Sequence, residues 1–165
     1  MDGAEINRFP GSELLWSLLP DAKQELVEFS IGPMVQRFVG RHHGYLRLTP
    51  SVTVERTIQL ETGPHVLRVI DRVLGKGHHK VEVPLHLHPR VKVVAELPGR
   101  LDLEASGRAF ELIWSGAGWT LEIGQGREAE SYGCSRSLTR LAWRSAGELG
   151  ALDLTIGPRG PRRES

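Results

Sequence analysis

Hydrophobic and polar positions alternate one for one along most of the chain. In SVTVERTIQL, Val52, Val54, Arg56, Ile58 and Leu60 form one row and Thr53, Glu55, Thr57 and Gln59 the other. Successive side chains of a strand point to opposite faces, so this stretch predicts a half-buried strand with Arg56 standing in the apolar row. LVEFSIG repeats the pattern, with Val27, Phe29 and Ile31 against Glu28 and Ser30, and so do RLDLEAS, RAFELIWS, WTLEIG, LTRLAWRS and ALDLTIG. The segments TPS, ETGP, LGKG, LPG, ASG, SGAG and GQG read as the turns between strands. Their spacing of roughly ten residues is that of an antiparallel sandwich. The helical candidate is SELLWSLL, where Ser12 would cap a short turn carrying Leu14, Leu15 and Leu18 before Pro20. Asp21 to Leu26, with Gln24 at the third helical position, resembles a capping box but competes with the strand pattern. The expected fold is all-β, an antiparallel two-sheet β-sandwich forming a single domain over residues 1–156. The segment GPRGPRRES, residues 157–165, is expected to be a flexible C-terminal tail.

Composition narrows the function classes. The chain has 165 residues, 39% of them apolar and 25% charged, which is an ordinary globular balance. Lys plus Arg number 21 against 20 acidic residues, so no broad basic field points to a nucleic-acid partner. No run approaches the roughly 18 apolar residues of a membrane span, and the residues after Met1 do not form an export signal. Cys134 stands alone, which excludes an internal disulfide and leaves the redox compartment open.

Four of the seven histidines fall in GKGHHKVEVPLHLHPRVKV. Alternation places His79, Val81, Val83, Leu85 and Leu87 on one face and His78, Lys80, Glu82, Pro84, His86 and His88 on the other. Pro84 cannot donate to a ladder, so the strand is expected at a sheet edge or with a bulge. His86 and His88, at i and i+2, could share a metal ion, with His43 or Glu82 as the third ligand. The competing reading makes them outward imidazoles of a structural strand, and it is preferred because an HxH pair lacks a fixed partner spacing. A cupin would place a glycine six residues before the HxH and a glutamate four or five after it. Lys80, and Lys92 or Val93, stand at those positions.

The ordered combination of several segments resembles the C-terminal β-sandwich of heparinase II/III-like proteins. His43, Gly44 and Tyr45 match an HxGY-type turn, and Val52, Arg56 and Thr57 the strand after it. Ile70, Asp71, Gly75, Gly77 and His78 match the next motif, and His86 to Pro89 an LHLHP segment. The resemblance covers residues 40 to 93 and extends more loosely through Tyr132 and Gly133. It implies a full-length fold of an α-toroid followed by β-sandwich layers, cleaving acidic, uronic-acid polysaccharides by β-elimination. Such a lyase neutralises a carboxylate, abstracts a proton and protonates a leaving oxygen. It also implies a cell-envelope or periplasmic setting, and zinc in several full-length members. The family carries its catalytic groups on the toroid and on an HxHxD strand. His86 is followed here by Leu87, His88, Pro89 and Arg90, so the HxHxD is missing, and no toroid helices are present. No catalytic residue is therefore assigned, and this portion is expected not to be catalytic alone. The alternatives are a free-standing carbohydrate-binding or assembly module and, ranked last, a metal-dependent β-barrel enzyme using His86 and His88.

The remaining candidates have structural readings. Tyr45 is expected to pack with its hydroxyl at the rim. Arg47, Arg56, Arg68 and Arg72 could fork onto uronate carboxylates, but Glu55, Glu61 and Asp71 are nearby partners. Trp114, Trp119 and Trp143 fall in apolar rows and are expected in the core, while Trp16 is the aromatic expected at the surface.

Overall fold

The computed structural model describes residues 1–14 and 17–160. Among the described residues eleven antiparallel strands are formed: β1 (Gln24–Ile31), β2 (Val35–His42), β3 (Val52–Glu61), β4 (Val66–Gly75), β5 (His79–His86), β6 (Val91–Leu97), β7 (Arg100–Ala105), β8 (Arg108–Ser115), β9 (Thr120–Ser131), β10 (Cys134–Gly147) and β11 (Leu152–Pro158). They make an eight-stranded sheet in the order β1-β2-β3-β4-β11-β8-β7-β6 and a three-stranded sheet in the order β5-β10-β9. The all-β, two-sheet expectation is thus met. Strand β5 lies at an edge, where the missing N–H of Pro84 breaks no ladder.

The helical expectation reduces to one 3₁₀ turn, Ser12–Leu14. Leu15 and Trp16 lie outside the described residues. The capping-box alternative gives way to β1, and Asp21 instead accepts from the backbone N–H and guanidinium of Arg8. The sequence pattern left β2, β4 and β6 unassigned. Strand β11 continues through Gly157 and Pro158, and the Arg159 N–H donates to Ala109 at 3.0 Å. Residues 161–165 of the expected tail lie outside the described residues.

The core sits where the two sheets face one another. Trp143, Leu101, Leu112, Leu141 and Leu152 are fully buried, and Trp119 and Val83 nearly so. Trp114 packs on this cluster, its ring edge-on to Trp143 with centroids 6.1 Å apart. Each such side chain contributes about 1.5–3 kcal/mol of transfer free energy. All three tryptophans expected in the core are therefore in it or against it.

Two glycine-rich segments behave differently. In LGKG, Gly77 has φ +102°, and an added Cβ would stand 2.5 Å from Pro50 Cγ, so the turn needs glycine on both counts. GQG was expected to be a turn and is not: Gly124, Gln125 and Gly126 lie inside β9, paired with Arg140, Thr139 and Leu138. A Cβ on Gly126 would come within 2.8 Å of Leu138 and 3.2 Å of the His86 ring, so this glycine makes room for packing. The reversal comes later, at Tyr132 and Gly133, where Gly133 has φ +78°.

The large sheet is wider than the small one. Register places Leu26, Phe29, Phe38, Ile58, Val69 and Leu154 on one continuous face, the face that meets the small sheet at β11. Toward β1 that face loses its cover: Leu26 is 65% exposed, Phe29 64% and Ile31 70%. The opposite face of β1–β4 carries the Arg37–Glu28, Arg41–Glu55 and Arg72–Glu55 ion pairs.

Candidate functional site

The polar residues that stand in apolar rows mark a groove beside the core. Arg56 and Asp71 are cross-strand partners on β3 and β4, on the inner face. The Arg56 Nε donates to Asp71 Oδ1 at 2.6 Å and Nη2 to Oδ2 at 2.8 Å, a two-pronged pair around a buried carboxylate. That hydrogen bonding holds the guanidinium above its ordinary pKa against the burial that would lower it. His42, at the end of β2, lines the same groove, and its buried Nδ1 has no hydrogen-bond partner among the described residues. Burial, reinforced by His43 and Arg56, keeps this imidazole below its ordinary pKa and neutral. Beneath lies a cavity of about 140 Å³ lined by His42, Tyr45, Asp71, Val83 and Trp119 among others.

The N-terminal segment closes this end of the sandwich. Asp2 accepts from the Lys80 N–H at 2.7 Å and meets Nδ1 of buried His79 at 2.6 Å. Partial burial pushes the Asp2 carboxyl up, but the hydrogen bonds from His79 and Lys80 outweigh it and leave the group below its ordinary pKa. Arg47 donates to the carbonyls of Glu5, Ile6 and Gly44 and lies 5.7 Å from the Tyr45 ring centroid. Tyr45 is buried, as expected, and burial raises its phenol pKa. Chemically the groove is a closed account: the Arg56 charge is spent on Asp71, and His42 and Tyr45 are neutral at pH 7.

The histidines do not converge. His86 lies across from Arg140 at the end of β5, while His88 Nδ1 accepts from the Arg90 N–H at 3.1 Å in the turn that follows. His43 contacts Thr53 and Glu25. Glu82 accepts from Arg140 and Arg144, and the Arg144 hydrogen bond leads the effects that depress its carboxyl pKa. Neither suggested third ligand is thus directed at His86 and His88. Among the described residues no group of three or more His, Cys, Asp or Glu side chains is placed to hold a metal ion. Of the arginines proposed for uronate contact, Arg56 and Arg72 are paired with Asp71 and Glu55, Arg68 with Asp153, and Arg47 with backbone carbonyls. The Asp2–His79 contact went unrecognised in the sequence, although His79 in an otherwise aliphatic row signalled a buried histidine in want of a partner.

A family model described as heparinase II/III-like, C-terminal, matches residues 8–149. The chain belongs to that family. A search of curated proteins finds no match. Among solved structures, a heparinase III, the BT4657 gene product, superposes with a TM-score of 0.71 at 12% identity, covering 83% of this chain and 22% of that one. The heparan sulfate lyase HepC from Pedobacter heparinus gives a TM-score of 0.69 at 13% identity, covering 86% of this chain and 23% of its own. At these identities the superpositions speak for the fold. This heparinase II/III-like C-terminal domain spans less than a quarter of the length of either lyase. No helix among the described residues is long and apolar enough to cross a membrane.

Proposed function

We propose that this chain serves as the C-terminal structural domain of a polysaccharide lyase acting on uronic-acid polysaccharides, and that it supplies packing surface to the enzyme and leaves bond cleavage to the remainder. The observation that carries this reading is the bare apolar face of β1–β3. Leu26, Phe29 and Ile31 continue the row that is buried at β11, yet face solvent here. A row of that kind in a sandwich is expected to be covered by another layer about 10 Å away. In the groove the Arg56 and Asp71 charges are paired with each other and His42 is held neutral, which further supports a structural role. Zinc finds no suitable donor set among the described residues of this domain.

Two measurements test the proposal. The purified domain incubated with heparin, heparan sulfate or alginate is expected to release no unsaturated uronate absorbance, and turnover would overturn the non-catalytic assignment. In sedimentation velocity the domain is expected to self-associate through its bare face, and Leu26→Glu with Phe29→Glu to render it monomeric without unfolding. Monomeric behaviour of the unaltered domain at all concentrations would remove the packing role.

A further inference from the structure

The β9–β10 hairpin changes character along its length. On its inward face Leu121 pairs with Trp143 and Ile123 with Leu141, both contributing to or flanking the core. Continuing outward on the same face, the next positions are Gln125 opposite Thr139 and Arg127 opposite Ser137, with Ser135 beyond. Gln125, Arg127, Ser135 and Ser137, with Gly126, line a concavity of about 500 Å³ formed by the hairpin alone.

Charge is segregated between the two faces. Arg136 pairs with Glu130 at 2.7 Å and sits across from Glu128, so the acids of this hairpin stand with Arg136. Arg127 pairs with no carboxylate among the described residues, as is true also of Arg47, Arg90 and Arg108, whereas the other arginines of this hairpin, Arg136, Arg140 and Arg144, each hold one. A guanidinium left uncommitted, beside an amide and two hydroxyls, is a donor set for an anionic group carried on a polyhydroxylated ring. The concavity is braced from behind, since the His86 ring lies close over Gly126, where a Cβ would meet it at 3.2 Å.

We propose that the inward face of the β9–β10 hairpin is a subsite for one anionic sugar unit, with Arg127 receiving its carboxylate or sulfate and Gln125, Ser135 and Ser137 its hydroxyls. This rests on the polysaccharide assignment above and adds to it a contact remote from bond cleavage. It is independent of the bare β1–β3 face, so failure of the subsite leaves the packing role standing.

The test is titration calorimetry on the purified domain at low salt with three probes: a heparin hexasaccharide, an unsulfated oligoguluronate and the neutral cellohexaose. Binding of both anionic probes assigns the shared anion; binding of heparin alone assigns the sulfate, and of oligoguluronate alone the carboxylate. Cellohexaose is expected not to bind. Arg127→Ala is expected to weaken binding roughly tenfold or more, whereas Arg136→Ala, which removes the same charge from the same hairpin, should change it less than about threefold. Equal effects of the two substitutions would reduce the binding to general electrostatics and overturn the subsite. Absence of binding by the unaltered domain, or equal binding of cellohexaose, would overturn it as well. Circular dichroism of both variants checks that the hairpin exchange leaves the fold in place.

Discussion

The two ends of the large sheet carry the same alternation and meet opposite fates. At β11, β8 and β7 the inward row of Leu152, Leu154, Leu112, Leu101 and Leu103 is sealed under the small sheet. At β1 and β2 the inward row of Leu26, Phe29, Ile31 and Phe38 is left in solvent. Period-two patterning therefore reports which face a strand intends to bury, and the width of the opposing sheet decides whether it does. Three strands cannot cover eight. The polar rows differ in the same way: outward residues of β1–β4 are joined by exposed ion pairs, worth little each, while the inward Arg56–Asp71 pair bridges the transition between covered and bare surface.

The sharpest way to break this comparison is to truncate one aromatic of the small sheet that seals the covered row and one aromatic of the bare row. Trp143→Ala is expected to cost about 3–5 kcal/mol in urea unfolding, and Phe29→Ala no more than about 0.5 kcal/mol; comparable losses would mean that the β1 row is covered after all. Next in size is Arg56→Ala, which leaves the buried Asp71 carboxylate alone. Fully buried pairs broken this way lose about 3–5 kcal/mol, and because the Arg56 side chain is half exposed the expected loss is on the order of 2 kcal/mol. Recovery in Arg56→Ala with Asp71→Asn would attribute that loss to the stranded charge. The smallest effect concerns His42. Its unfolded imidazole protonates near the ordinary value of about 6.5, and the folded one only at lower pH. Its contribution is thus complete above about pH 6.5 and declines as pH falls toward the folded value. Urea midpoints at pH 7.5 and 5.5 should differ less in His42→Gln than in the unaltered domain.

Much of the architecture was legible because strand patterning is local. Rows such as Val52, Val54, Ile58 and Leu60 need no knowledge of partners to be read as one face. Even Arg56 was placed correctly within its row, with Asp71 among its candidate partners. Strand β2 was harder, since VQRFVGRH breaks its apolar row with Gly40 and Gln36 on the inward face. The GQG segment misled for a different reason: glycine serves both reversal and close packing, and only the proximity of Leu138 and His86 distinguishes them. Contacts between distant segments were the least legible. Asp2 and His79 are separated by 77 positions, and no pattern within either segment names the other. The family resemblance named the fold, but that Arg127 lacks a carboxylate while Arg136 on the same hairpin has Glu130 emerges only from the three-dimensional pairing.

The placement of β11 has a consequence for synthesis. Strands β1–β4 form one meander and β6–β8 another, and the two are joined in the sheet solely through β11, which hydrogen-bonds to β4 on one side and β8 on the other. A nascent chain carrying everything up to Glu148 would hold two half-sheets with open facing edges, each a template for the wrong partner. Closure waits for seven residues, Leu152–Pro158, to leave the ribosome. A premature stop before the codon of Leu152 would thus be expected to do more than shorten the protein: it would deliver two unsealed edges to the cell's quality-control machinery.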